Sequence, residues 1–88
     1  MNWKIEIKPN AEKQYQKLDR SVKKRIKKAL VELEQKENPL FSPNVRHLTG
    51  ELHGDYRLRV GNWRVLFTPN QKKRILSVFA ILPRGDAY

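Results

Sequence analysis

Cysteine is absent from all 88 residues, which removes both a disulfide scaffold and a thiolate metal site from consideration. No apolar run approaches the length of a membrane span, and the opening Met1-Asn2-Trp3-Lys4-Ile5-Glu6 lacks a hydrophobic signal segment. A cytoplasmic location without a membrane partner is therefore expected. Internal repeats and low-complexity stretches are missing as well, so residues 1–88 are expected to form a single domain. Acidic residues are scarce: nine Asp and Glu stand against 19 Lys and Arg, for a formal net charge of +10. Such an excess is the electrostatic footprint of a nucleic-acid binder. A purely solubilising surface mixes signs with less self-repulsion. The nine acids show no clustered ligand spacing, so neither a metal nor another cofactor is expected. Phosphate loops and hydrolase triads are also missing. His47 and His53, six residues apart, are a conceivable acid/base pair, although loop histidines are more often surface polar groups.

What is present falls into a simple order. Trp3, Ile5 and Ile7 alternate with Lys4, Glu6 and Lys8, as in a half-buried strand ending at Pro9. Asn10 then suits an N-cap, and Ala11, Tyr15 and Leu18 mark the apolar stripe of a short helix. After Asp19-Arg20-Ser21 the set Val22, Ile26, Ala29, Leu30 and Leu33 resumes at helical spacing, predicting a longer helix over residues 21–37. The outer face of that helix carries Lys23, Lys24, Arg25, Lys27 and Lys28. It reads either as a solvated face or as a sequence-independent contact to RNA phosphates. Residues 38–54 hold two prolines and two glycines and read as a long loop anchored by Leu40, Phe41, Val45, Leu48 and Leu52.

Beyond the loop, Tyr56, Leu58 and Val60 alternate with Arg57 and Arg59, and Gly61-Asn62 supplies a two-residue turn into Trp63, Val65 and Phe67. In that hairpin Val60 lies opposite Trp63, Arg59 opposite Arg64 and Leu58 opposite Val65. Like charges directly opposed across strands destabilise a sheet by tenths of a kcal/mol or more, so the Arg59/Arg64 pair invites an anion. The alternative is that the guanidinium groups snorkel apart into water. Residues 75–82 are almost continuously apolar, as in a central strand covered on both sides, and Pro83 releases residues 84–88 as an irregular tail. The chain is thus α+β, in the order β-α-α-β-β-β.

The hairpin Gly-x-Tyr-Arg-x-Arg-x-Gly-x-Trp-Arg-Val at 54–65 and the closing Pro-Arg-Gly-x-Ala-Tyr at 83–88 resemble the RelE/ParE toxin superfamily, and the tail resembles its RelE-like branch. The resemblance implies an N-terminal helical hairpin packed on a mainly antiparallel four-stranded sheet. It implies a metal-independent endoribonuclease toxin that cleaves mRNA in the ribosomal A site, with ribosome, mRNA and an acidic, amphipathic RelB-like antitoxin as partners. By that likeness Arg64, Arg84 and Tyr88 are the catalytic set and Arg57 and Arg59 bind RNA; Lys23, Lys24, Lys27 and Lys28 are further candidate RNA contacts on the charge pattern of the helix alone. Lysine is frequent in the family at the positions of Arg57 and Arg59, and arginine does not readily give up a proton, so their implied role is electrostatic. A ParE-like gyrase inhibitor without nuclease activity and a non-catalytic RNA- or DNA-binding module are the alternative functions.

Overall fold

A computed structural model describes residues 3–48 and 54–86. Five strands form one sheet in the order β1-β5-β4-β3-β2: β1 (Lys4–Ile7), β2 (Val45–His47), β3 (Tyr56–Val60), β4 (Trp63–Asn70) and β5 (Ile75–Pro83). Helices α1 (Pro9–Gln16) and α2 (Arg20–Glu34) follow β1, and β1 pairs with β5 in parallel while the other pairings are antiparallel. Among the described residues no helix is long and apolar enough to cross a membrane.

The α+β order stands, with a fifth strand added. Residues 38–54 are not simply a loop: they contain a 3₁₀ turn at Pro39–Phe41 and the strand β2, which pairs Val45 with Leu58, Arg46 with Arg57 and His47 with Tyr56. Three residues are too few to show an alternation, and what makes them a strand is the distant β3 edge. With β2 added, β4 rather than β5 is the middle strand of the sheet. The tight turn also reverses one expectation about the core, because it buries Pro39 and half-buries Leu40 but leaves Phe41 83% exposed. Leu52 and Gly50 lie outside the described residues.

Pro9 rather than Asn10 sets the start of α1. Its fixed φ suits the first helical position, where its missing N–H costs nothing, so the cap falls one residue earlier, on Lys8, which makes no side-chain cap bond. Asn10 is left free for another task. Where β1 ends, α1 takes over the edge of β5. The Lys8 N–H donates to the Val78 carbonyl (2.8 Å), Asn10 Nδ2 donates to that of Phe79 (3.2 Å), and the Ile81 N–H donates to Gln14 Oε1 (2.7 Å). Phe79 needs that help because the register shifts there: Leu66 faces Ala80 while Phe67 faces Val78. Gln14→Leu should therefore leave the Ile81 N–H without a partner and cost about 1–3 kcal/mol. Thermal unfolding would show this as a fall of several degrees, and an unchanged midpoint would mean that water replaces the amide.

α2 begins at Arg20 and ends at Glu34, short of residue 37, where the chain closes against β1 at the same edge of the sheet. The Trp3 N–H donates to the Glu34 carbonyl (2.9 Å) and the Ile5 N–H to Glu34 Oε2 (2.9 Å), while Trp3 Nε1 reaches the Glu37 carbonyl (3.2 Å). Ile26, Leu30 and Leu33 of α2 join Trp3, Val65, Phe67, Leu76 and Val78 in the main core, so both helices pack on one face of the sheet. A smaller cluster of Leu48, Leu66 and Ala80 lies on the opposite face. The period of two along each strand directs the arginines to that same helix-free face.

Candidate functional site

Arg57 and Arg59 alternate with the core residues Leu58 and Val60, and Arg64 lies directly across from Arg59. The two-residue turn that fixes this register has Gly61 at φ +59°, a left-handed conformation that glycine adopts without strain. A Cβ at Gly61 would also sit 2.5 Å from the Arg25 guanidinium of α2, so the turn closes against that helix. The resulting hollow, of about 350 Å³, is lined by Arg46, Arg57, Arg59, Arg64 and Arg84 together with Pro43 and Asn44. A hollow of about 420 Å³ meets it at Asn44 and Arg59, but Glu32 and Lys36 on its wall give it mixed charge.

Arg64 is the most constrained of these cations. Only 9% of it is exposed, and its Nη1 donates to the carbonyls of Gly61 (3.0 Å) and Trp63 (2.9 Å). These acceptors orient the guanidinium without neutralising it. Desolvation, followed by repulsion from Arg57, Arg84 and Arg59, holds its pKa below the ordinary value. A guanidinium so displaced is still a cation at neutral pH, so the pocket carries a standing demand for an anion.

Arg59 is exposed but not loose. Its backbone N–H donates to the Asn44 carbonyl (2.8 Å) and its Nη2 to Asn44 Oδ1 (3.3 Å). Nothing in the sequence marked Asn44, because its relation to Arg59 depends on the register of β2 against β3. Arg59→Thr exchanges one weak hydrogen bond for relief of the Arg59/Arg64 repulsion. Stability should then change by less than about 1 kcal/mol while RNA affinity falls. Chemical denaturation alongside an RNA-binding titration measures both, and a large destabilisation with affinity intact would make the arginine structural.

Arg84 arrives from the last strand. Pro83 ends β5 opposite Trp63, and the Arg84 N–H donates to the Asn62 carbonyl (2.9 Å). Residues Arg84–Asp86 form a 3₁₀ turn where the sequence suggests an irregular tail, since this backbone bond ties the chain to the hairpin tip. Tyr88 and His53 lie outside the described residues.

The other expected residues sit elsewhere. Lys24, Lys27 and Lys28 are exposed on α2, in the layer on the opposite side of the sheet. Lys23 is half-buried there, 5.9 Å above the Tyr15 ring and 3.4 Å from Gln16 Oε1. They form a second basic surface, distinct from the arginine hollow. His47 packs tilted against Tyr56 on the helix side, with ring centres 4.9 Å apart, and its Nε2 accepts from the Gly54 N–H (3.1 Å), so it takes no part in the hollow. Among the described residues, no group of three His, Asp or Glu side chains is placed to hold a metal ion.

Such a molecule belongs to the class of small α+β proteins with two helices on one face of a five-stranded sheet, here with an arginine-lined hollow on the other face. The family model described as "ParE toxin of type II toxin-antitoxin system, parDE" matches residues 5–88. Among solved structures, the archaeal RelE in the RelE–RelB complex of Pyrococcus horikoshii OT3 is 28% identical with a TM-score of 0.79, covering 99% of this chain and 100% of that one. A mutant of the Escherichia coli toxin RelE in the free state is 25% identical with a TM-score of 0.77, covering 99% of this chain and 88% of that one. The fold is shared further with YoeB in the Staphylococcus aureus YoeB–YefM complex, at 18% identity and a TM-score of 0.72 over 93% of this chain and 97% of that one. No curated protein sequence matches. The chain belongs to the RelE/ParE superfamily of type II toxin–antitoxin toxins, on its RelE-like branch.

Proposed function

We propose that this toxin is a ribosome-dependent endoribonuclease that cleaves mRNA in the ribosomal A site and so stops translation. The observation that carries this reading is the hollow in which Arg57, Arg59, Arg64 and Arg84 converge on one helix-free sheet face. Together with Arg46 they make five cations around one small space, which suits a phosphodiester whose charge increases in the transition state. The reaction is attack of an RNA 2′-hydroxyl oxygen on the adjacent phosphorus, with departure of the 5′-oxygen of the next nucleotide. The products are a 2′,3′-cyclic phosphate and a 5′-hydroxyl end; no water oxygen enters either, and the departing 5′-oxygen takes its proton from solvent.

Within it, Arg64 holds the reacting phosphate, its guanidinium oriented beforehand by the Gly61 and Trp63 carbonyls. Arg57 and Arg59 bind the backbone electrostatically, and Arg84 stabilises charge on the departing oxygen. Tyr88 takes the proton of the 2′-hydroxyl. It lies four residues beyond Arg84, within about 14 Å of extended chain from the hairpin tip. A tyrosine hydroxyl with a pKa near 10 costs about 4 kcal/mol to ionise at pH 7, part of which the surrounding arginines offset. No group with a neutral pKa is assigned to protonate the leaving oxygen. Cleavage of free RNA is accordingly slow, and alignment of mRNA by the ribosome supplies the missing rate.

Lys23, Lys24, Lys27 and Lys28 serve ribosomal RNA phosphates on the other side of the molecule, adding affinity without sequence preference. The cognate antitoxin is an acidic, amphipathic RelB-like chain, a reading supported by relatives solved as complexes with RelB and YefM. The chemistry and the absence of a membrane-crossing helix among the described residues suit a toxin that works in the cytoplasm. A second reading, a ParE-like gyrase inhibitor, is favoured by the description of the matching family model. Mapping mRNA ends on translating ribosomes separates them. Cuts at A-site codons carrying 2′,3′-cyclic phosphate support the nuclease, whereas intact mRNA with inhibited gyrase transfers the assignment to the ParE-like function.

A further inference from the structure

Phe41 is 83% exposed, whereas the next most exposed large apolar side chain among the described residues, Val31, reaches 43%. No other ring stacks against it among those residues. The backbone beneath it is nevertheless fixed. Asn38 Oδ1 accepts from the Leu40 N–H (3.2 Å), the Phe41 N–H donates to the Asn38 carbonyl (3.1 Å) and the Ser42 N–H to that of Pro39 (3.2 Å). On one side of the ring Pro39 is buried and Leu40 packs against the main core, and on the other the Val45 N–H donates to the Ser42 carbonyl (3.0 Å) as β2 begins. A tight turn anchored at both ends thus presents one bare aromatic ring to solvent. Single apolar residues are ordinary on protein surfaces. What sets Phe41 apart is where the turn places it.

The same segment walls the arginine hollow. Pro43 and Asn44 line that hollow, and Asn44 Oδ1 accepts from Arg59 Nη2 (3.3 Å). Phe41 follows two residues before Pro43, so its Cα lies within about 7 Å of that wall. A single RNA strand whose phosphates are held by arginines still has bases to place, and proteins that bind such strands join a basic groove to aromatic faces on which bases stack. The hollow has no aromatic lining of its own. Tyr56, Trp63 and Phe67 belong to the core on the helix side, and Phe79 packs on the small cluster of the opposite face. Phe41 is the open ring beside the hollow. We infer that Phe41 is a stacking platform for a nucleobase of the RNA strand whose phosphates lie among the arginines, at a nucleotide outside the reacting linkage. It adds affinity and fixes how far the strand extends along the face, and it contacts no reacting atom. The inference rests on the reading that this face takes RNA, but it does not require that the RNA be cut.

The test uses the full chain and a short single-stranded 2′-O-methyl RNA, which binds without being cleaved. Phe41→Ala should weaken binding by about five- to fiftyfold, the effect of losing one stacked base. The slope of log affinity against log salt should stay as it is, because no phosphate contact is removed. Phe41→Trp should bind at least as well as the parent, while Phe41→Leu, apolar but without a π face, should fall with Phe41→Ala. Matching thermal midpoints establish that the variants are folded. Removing bases from the RNA one at a time should identify one abasic position that weakens the parent to the same degree and costs Phe41→Ala nothing further. Parent-like binding by Phe41→Ala or Phe41→Leu, or losses that add at every abasic position, overturns the inference and leaves the ring to a protein partner. A parent that binds no RNA overturns it as well. Ribosomal mRNA cleavage without a Phe41-dependent base sinks the inference alone, and a Phe41-dependent base with mRNA left intact sinks only the nuclease reading.

Discussion

Replacing Tyr88 by phenylalanine should slow cleavage of ribosome-bound mRNA by about a hundredfold or more while ribosome binding persists. The change deletes one oxygen and keeps the ring. A general base contributes roughly a hundred- to ten-thousandfold, and the loss should fall on the chemical step rather than on affinity. Arg84→Ala should behave similarly in single-turnover experiments, because the interaction proposed for it strengthens as charge develops on the departing oxygen. Quenched-flow measurement of single-turnover cleavage with saturating toxin tests both. If both variants cut at the parent's rate, neither residue belongs to the reaction and the RelE-like mechanism is lost for this chain.

Raising salt from 50 to 200 mM should weaken the toxin's hold on RNA by several hundredfold to a thousandfold. A site that neutralises about six phosphates releases the counterions condensed on them, and affinity then falls as a high power of salt concentration. The arginine hollow offers Arg46, Arg57, Arg59, Arg64 and Arg84, and the α2 lysines supply the remainder from the opposite layer. Neutralising two of those lysines, Lys27 and Lys28, should reduce the slope without changing which RNA is preferred, since phosphate contacts carry no base information. Filter binding or fluorescence anisotropy across a salt series measures the slope. A flat response would mean that the net charge of +10 serves something other than a polyanion.

Local pattern sufficed for much of this molecule. The alternation from Tyr56 to Phe67 around Gly61-Asn62 specifies a hairpin, and a two-residue turn leaves only one register, so the pairing of Arg59 with Arg64 is legible in the sequence itself. The stripe of Ile26, Leu30 and Leu33 likewise identified the buried side of α2. The resemblance of the 54–65 and 83–88 motifs to a toxin family pointed to the arginines, and the fold brings Arg57, Arg59, Arg64 and Arg84 to one hollow.

Other features depend on residues far apart in the chain. β2 exists because three residues meet the free edge of β3, and with it come Arg46 opposite Arg57 and Asn44 beneath Arg59. No periodicity can announce a strand of that length. Asn10 has the chemistry of a cap, yet the bulge at Phe79, 69 residues away, claims its side chain. The burial of Arg64 is equally non-local, since its strand neighbours and the hairpin carbonyls together remove it from water. Composition and spacing thus determined the charge, the helices and the hairpin, because each arises from neighbours along the chain. Which cations share one desolvated space was decided by sheet order and register, because electrostatic coupling acts through distance in space rather than separation in sequence.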